Sequence, residues 1–186
     1  RFKLPVADGT AGQVLTTDGS GNLSWANDKG KILQVVQTLK TDSFSMADNN
    51  YTDVTGMTAS ITPSSSSNKI LVKINLKYGG EANGYFAIKL LRGSTLIGQS
   101  TAVSGSNQLN PTFSVATGNN DNDFYKLHSA SYEILDTPST TSATTYKIQV
   151  WSYNSRHFRL NRPYSNDNHD YIHGGTSTIT LMEVAA

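Results

Sequence analysis

No cysteine occurs anywhere in the 186 residues, which excludes disulfide staples, zinc–thiolate centres and thiol nucleophiles. Glutamate is almost as scarce: Glu81, Glu133 and Glu183 stand far apart, so they form no local glutamate pair for acid–base chemistry. Net charge is only +1 and no basic block or stripe appears, so the electrostatic footprint of a nucleic-acid binder is missing. Apolar runs end after a handful of residues, far short of a membrane span, and no signal-peptide pattern is present. Neither nucleic acid nor membrane insertion is expected. Charged residues make up 16% and hydrophobic residues 37%, both low for a globular domain, with Ser, Thr, Asn and Gly in their place. A loop-rich chain with a thin private core and no disulfides is expected to gain stability by burying surface between subunits.

Two compositional regions succeed one another. Residues 1–30 form a repetitive leader in which short apolar steps, Gln13–Thr17 and Asn22–Trp25, alternate with turn signals such as Asp8-Gly9 and Asp18-Gly19. Such a segment closes no core alone and is expected to act as a short β-stalk among partner chains. The chain opens on Arg1-Phe2-Lys3 rather than Met, and is expected to be cut from something longer.

Residues 31–186 carry longer strands. Between Asn68 and Tyr78, Ile70, Val72, Ile74, Leu76 and Tyr78 alternate with a largely polar set, the period of a half-buried antiparallel strand. Arg92-Gly93-Ser94 between Tyr85–Leu91 and Thr95–Gly98 reads as a hairpin. Alternation recurs over Phe124–Leu135, at Tyr146, Ile148 and Val150, and over Ser177–Val184. With Lys31–Leu39 and Met57–Thr62 this makes about eight strands, and an all-β fold is expected: an antiparallel β-sandwich of jelly-roll type behind the stalk. Two strands, at Ile32-Leu33/Val35-Val36 and at Ile179/Leu181-Met182/Val184, are apolar on both faces. The outer face then packs against a neighbouring subunit or under a loop of the same chain.

The 22 residues from Leu4 to Trp25, LPVADGTAGQVLTTDGSGNLSW, resemble a leader found in tail-fibre and virion structural proteins of tailed bacteriophages. Ile32–Val36 and Thr176–Val184 also resemble C-terminal domains of such fibres. The resemblance implies a homotrimer with a jelly-roll head, similar in outline to trimeric complement- or tumour-necrosis-factor-like heads, located in the virion. It implies attachment to a host cell-surface glycan or lipopolysaccharide, with other virion proteins held through a preceding part of the chain. Host specificity would then reside in the loops over 99–123 and 154–173. A purely structural capsid or fibre-tip module is the alternative, and a polysaccharide depolymerase a more distant one.

Enzyme motifs are absent, and no catalysis is expected. Ser24 stands where a dinucleotide fingerprint after Gly19-Ser20-Gly21 needs its third glycine, and neither G-x-S-x-G nor H-E-x-x-H occurs. A glycosidase pair would have to draw on loop aspartates such as Asp121 and Asp123. Asn119–Asp123 resembles half of a calcium loop, without its glycine and distal glutamate, and surface-turn chemistry accounts for it equally.

The receptor-binding candidates lie in 151–173. Trp151 and Tyr153 fall on the polar face of their strand with Lys147 and Gln149, an arrangement suited to stacking on a sugar ring or to burial between subunits. Arg159 and Arg162, with Arg156, suit anionic groups of lipopolysaccharide, and Tyr164 and Tyr171 are expected at the loop surface. His169 and His173 flank Asp170-Tyr171-Ile172; solvated histidines are the favoured reading, a metal ion gathered on the trimer axis the alternative. No other cofactor is expected.

Overall fold

The computed structural model describes residues 3–27, 30–103, 109–119 and 124–186. Among the described residues the elements are strands and short 3-10 turns, with no α-helix. Gln13–Thr17 (β1) and Leu23–Asn27 (β2) form a separate two-stranded antiparallel hairpin, and Lys3 bridges Asn22 at its turn end. Asp18-Gly19 makes its turn: Gly19 takes a φ of +78°, and the Asp18 carboxylate accepts from the Ser20 and Asn22 amides and the Asn22 side chain. These bonds hold the Asp18 pKa below the usual carboxylate range. Trp25 donates through Nε1 to the Ala7 carbonyl at 2.9 Å.

The remaining strands are Ile32–Lys40 (β3), Phe44–Met46 (β4), Thr52–Ile61 (β5), Lys69–Gly80 (β6), Tyr85–Arg92 (β7), Thr95–Ile97 (β8), Phe113–Ala116 (β9), His128–Asp136 (β10), Thr144–Ser152 (β11), Phe158–Leu160 (β12) and Ser177–Val184 (β13). They build two antiparallel sheets. On one edge of β6 lies β10; along the other run β12 and then β13 end to end, with β4 and β3 outside them. In the second sheet β5 pairs β11, β11 pairs β7, and β8 and β9 share the far edge of β7. Counting each end-to-end pair as one row gives eight rows, ordered 1-8-3-6 in one sheet and 2-7-4-5 in the other. That is the jelly-roll order, and the expected sandwich is the one formed.

The alternation in β6 explains why the sheets stack. Ile70, Val72, Ile74, Leu76 and Tyr78 are buried, while Lys69, Asn75 and Lys77 are exposed on the other side. They meet Phe86, Ile88 and Leu90 of β7, Tyr146, Ile148 and Val150 of β11, and Met57 and Ile61 of β5 in one core. Arg92, Asp136 and Tyr146 close one end: Nη1 of Arg92 reaches both Asp136 oxygens at 2.8 Å, and the Tyr146 hydroxyl donates to Oδ2 at 2.7 Å. Burial first, and then the Asp136 carboxylate, push the Tyr146 pKa well above its ordinary value.

The doubly apolar strands resolve differently. On β13, Ile179 and Leu181 enter the core and Met182 is half-buried. On β3 the core-facing Val36 is half-buried, but Leu33, Val35 and Leu39 are 41%, 56% and 55% exposed. Register joins Val35, Met182, Leu71 and Leu135 into a single apolar row across the outer face of that sheet.

Candidate functional site

Three strand rows are interrupted, and the two long interruptions place the candidate residues. Residues 98–112 leave between β8 and β9, and 161–176 between β12 and β13. Each loop is fastened at one end, the first where it returns to the sheet and the second where it leaves. Thr112 Oγ1 accepts from the Leu90 amide at 2.9 Å and donates to the Ile97 carbonyl at 2.8 Å. Asn161, only 4% exposed and at a φ of +65°, does more. Its amide donates to the Lys77 carbonyl at 2.7 Å and its Nδ2 to the Lys40 and Asp42 carbonyls, while Oδ1 accepts from Ser177 Oγ at 2.6 Å. All hydrogen-bonding groups of its side chain are satisfied, so one residue stitches three rows while the loop departs.

A cleft of about 630 Å³ lies on the outer face of the second sheet. Trp151 points outward because its neighbours Val150 and Ser152 are buried. Opposite it stand Ala87 and then Ser114, and opposite Tyr85 stands Ala116. These small residues leave the hollow, while Trp151, Tyr153, Tyr85, Leu109 and Pro111 wall it. Tyr85 and Tyr153 meet edge to face at 6.2 Å between centroids, and Trp151 and Tyr153 lie 6.3 Å apart. Further along the same face Asp53 accepts from Lys147 Nζ at 2.7 Å and Gln149 Nε2 at 2.8 Å, bonds that lower its pKa.

Tyr153 does not continue the strand as expected; β11 ends at Ser152 and Tyr153 opens a 3-10 turn to Ser155. The turn still brings its ring to Trp151. Tyr85 went unread in the sequence, although it shares strand parity with Lys89 on the outer face and was legible as an aromatic on a polar face.

The other candidates lie on β12 or in the segments on either side of it, and divide further. Arg156 is tied to Glu81 at 2.6 Å. Arg159 projects outward from β12 between the buried Phe158 and Leu160 and shares a cavity of about 460 Å³ with Arg162, Tyr164, Phe124 and Tyr125. Gly79, opposite Arg159, makes this possible: a Cβ there would come within 2.7 Å of the Arg162 carbonyl and Pro163 Cα. Burial, and then the neighbouring Arg162 charge, lower the Arg159 pKa. Tyr164 is half-buried rather than at the loop surface, with Phe124 at 5.0 Å between ring centroids. Tyr171 is 50% exposed, stacks on His169 at 4.8 Å and meets Tyr125 edge to face at 5.4 Å. Tyr171 and His173 line a third hollow with Tyr125 and His128. Among the described residues no group of three or more His, Asp or Glu side chains is placed to hold a metal ion, so His169 and His173 have no third ligand within one described chain. Asp121 and Asp123, the calcium and carboxylate-pair candidates, lie outside the described residues.

The fold and the cleft together define a jelly-roll sandwich with an aromatic surface hollow. No protein-family model matches the chain, and no curated protein matches it. Among solved structures it is similar to that of the infectious bursal disease virus Gt strain, at 10% identity and a TM-score of 0.43, over 93% of this chain and 42% of that one. The Gx strain of the same virus gives 11% and 0.41 over the same shares. The VP2 subviral particle of infectious bursal disease virus gives 12% and 0.37, over 88% of this chain and 40% of that one. The chain thus spans about 42% of the length of the first two, and at this overlap the likeness bears on neither identity nor role.

Proposed function

We propose that this chain is the head of a homotrimeric virion structural protein, a bacteriophage tail fibre, that attaches to host cell-surface glycan without turning it over. The observation that carries the reading is the cleft of Trp151, Tyr153 and Tyr85. Aromatic rings on a rigid sheet cover the apolar face of a pyranose, while polar groups along the same face bond its hydroxyls. The bacteriophage assignment is supported by the resemblance of the Leu4–Trp25 leader, the trimer by the outer-face apolar row Val35–Met182–Leu71–Leu135, which is exposed at both ends. Three weak clefts per head, multiplied over several fibres, give avid and reversible attachment with no tight single site.

The test is binding of purified host polysaccharide, monitored by quenching of tryptophan fluorescence and by a glycan array. Wild type binds and releases no reducing sugar; W151A and Y85A lose at least about tenfold in affinity, the loss of roughly one stacked ring. Unchanged binding in both variants refutes the cleft. If W151A instead dissolves the trimer, the rings serve as a subunit contact and the purely structural module takes the place of this reading.

A further inference from the structure

Three arginines cluster near the start of the 161–176 loop, and they are not equivalent. Arg156 has Glu81; among the described residues neither Arg159 nor Arg162 has an acidic partner. Arg159 Nε and Arg162 Nη1 are both buried and neither has a hydrogen-bond acceptor. A buried N–H donor without an acceptor loses its hydrogen bond to water with no replacement, and two such charged groups side by side also repel. The fold nevertheless forces them together: β12 fixes Arg159, and Gly79 lets the Arg162–Pro163 backbone lie on the sheet beside it. Ser165 ties the loop down further by donating its amide to the Phe124 carbonyl at 2.9 Å.

The cavity beside them, about 460 Å³, is far larger than a bare ion and lies within the range of small-molecule sites. The Tyr164 ring lies 5.6 Å from the Arg159 guanidinium carbon and offers an apolar wall. Ser165 and Asn166 offer hydroxyl and amide groups. Asp167 also lines the cavity, and its carboxylate accepts from Ser165 Oγ at 2.7 Å, which leaves two cations against one anion.

We propose that Arg159 and Arg162 form an oxyanion subsite that takes the phosphate or carboxylate group of a charged sugar. Both groups present paired oxygens to a guanidinium fork, and either supplies the acceptors that the two buried N–H groups lack. The subsite lies on the first sheet and the Trp151 cleft on the second, so the inference goes beyond the attachment reading and does not depend on it.

Titration of the full chain with glucose 6-phosphate, glucuronate and glucose at low salt, monitored by NMR of the arginine Nε–H groups, tests the subsite. At least one charged probe shifts the Arg159 Nε–H resonance, glucose does not, and added salt weakens the binding. R159Q and R162Q each reduce affinity for the charged probe by about tenfold or more, and R159K, which keeps charge but loses the fork, falls between. Whether phosphate or carboxylate binds more tightly identifies the source of the oxyanion. Removing one of two repelling charges leaves the fold intact; should R159Q unfold, R162Q in the loop carries the test. Binding of glucose as tight as that of the charged probes, binding unchanged in R162Q, or no binding of either charged probe overturns the proposal. Tryptophan quenching by polysaccharide is read separately, so failure here is distinguishable from failure of the cleft.

Discussion

Replacing Glu183 with glutamine is expected to remove most of the acid sensitivity of the sandwich. Glu183 stands on the core face of β13, in line with Ile179 and Leu181, and is fully buried. Its Oε1 accepts from the Ser64 amide, Ser64 Oγ and Asn68 Nδ2 at 2.6–2.7 Å, and its Oε2 from Gln34 Nε2 at 2.6 Å. Burial alone raises the carboxyl pKa, but the bonds from Asn68, Gln34 and Ser64 outweigh it and hold the group at about 2, against 4.5 for the free side chain. The folded pKa is depressed, so the stabilisation is complete above pH 4.5 and is lost as pH falls towards 2. A difference of that size corresponds to about 3 kcal/mol.

The Glu183→Gln variant keeps the shape and loses the charge. Its new amide faces Gln34 Nε2, which cannot turn away freely because it also donates to the Thr62 carbonyl at 2.7 Å. The expected cost at pH 7 is about 2–4 kcal/mol, the sum of weakened charge-assisted bonds and one donor–donor clash. Urea denaturation monitored by circular dichroism, at fixed protein concentration and at pH 7, 4 and 2.5, measures it. Wild type and variant should converge as the acid limit is approached. A wild-type-minus-variant difference that stays constant with pH, or lies below about 0.5 kcal/mol throughout, would refute the reasoning.

Asn161→Ala removes bonds to Lys40, Asp42 and Ser177 and places alanine at a positive φ; a loss of at least about 2 kcal/mol in thermal or urea denaturation is expected. Asn161→Gly, which restores only the backbone freedom, should recover a minor part of it. The double variant V35E/L135E puts carboxylates at both ends of the apolar row. In light scattering it should behave as a single chain while its circular dichroism remains that of the sandwich; a trimer of unchanged mass would exclude this face as the subunit contact.

The strands that were legible in the sequence are those long enough to show a period. Alternation at Ile70–Tyr78 and at Tyr146–Val150 reports a core on one side and water on the other, and both strands formed there. β4, β9 and β12 hold only three or four residues each, too few for a period. They exist because a longer strand beside them offers unpaired backbone groups, which is tertiary information. Asn161 and Thr112 look like ordinary loop residues for the same reason. Glu183 carried a signal that went unread in the sequence: one carboxylate at the core parity of a strand that reads Ile179, Leu181 and then Glu183 requires a cluster of buried donors. At the candidate sites, Trp151 was found through the polar face it shares with Lys147 and Gln149. Nothing in the order Arg156, Arg159, Arg162 says which arginine meets Glu81, since that pairing depends on where the β6–β7 turn lies.

The two strand rows broken by long loops bear on how such a chain can change. A loop that joins neighbouring strands sets their spacing, and altering its length displaces the next strand. Residues 98–112 and 161–176 instead leave a single row and return to it, with Thr112 and Asn161 anchoring the register. Their contents are therefore exchangeable as cassettes. A segment of different length and composition could be spliced between the same anchors, presenting a new surface chemistry to the outside while every strand of the sandwich stays in place.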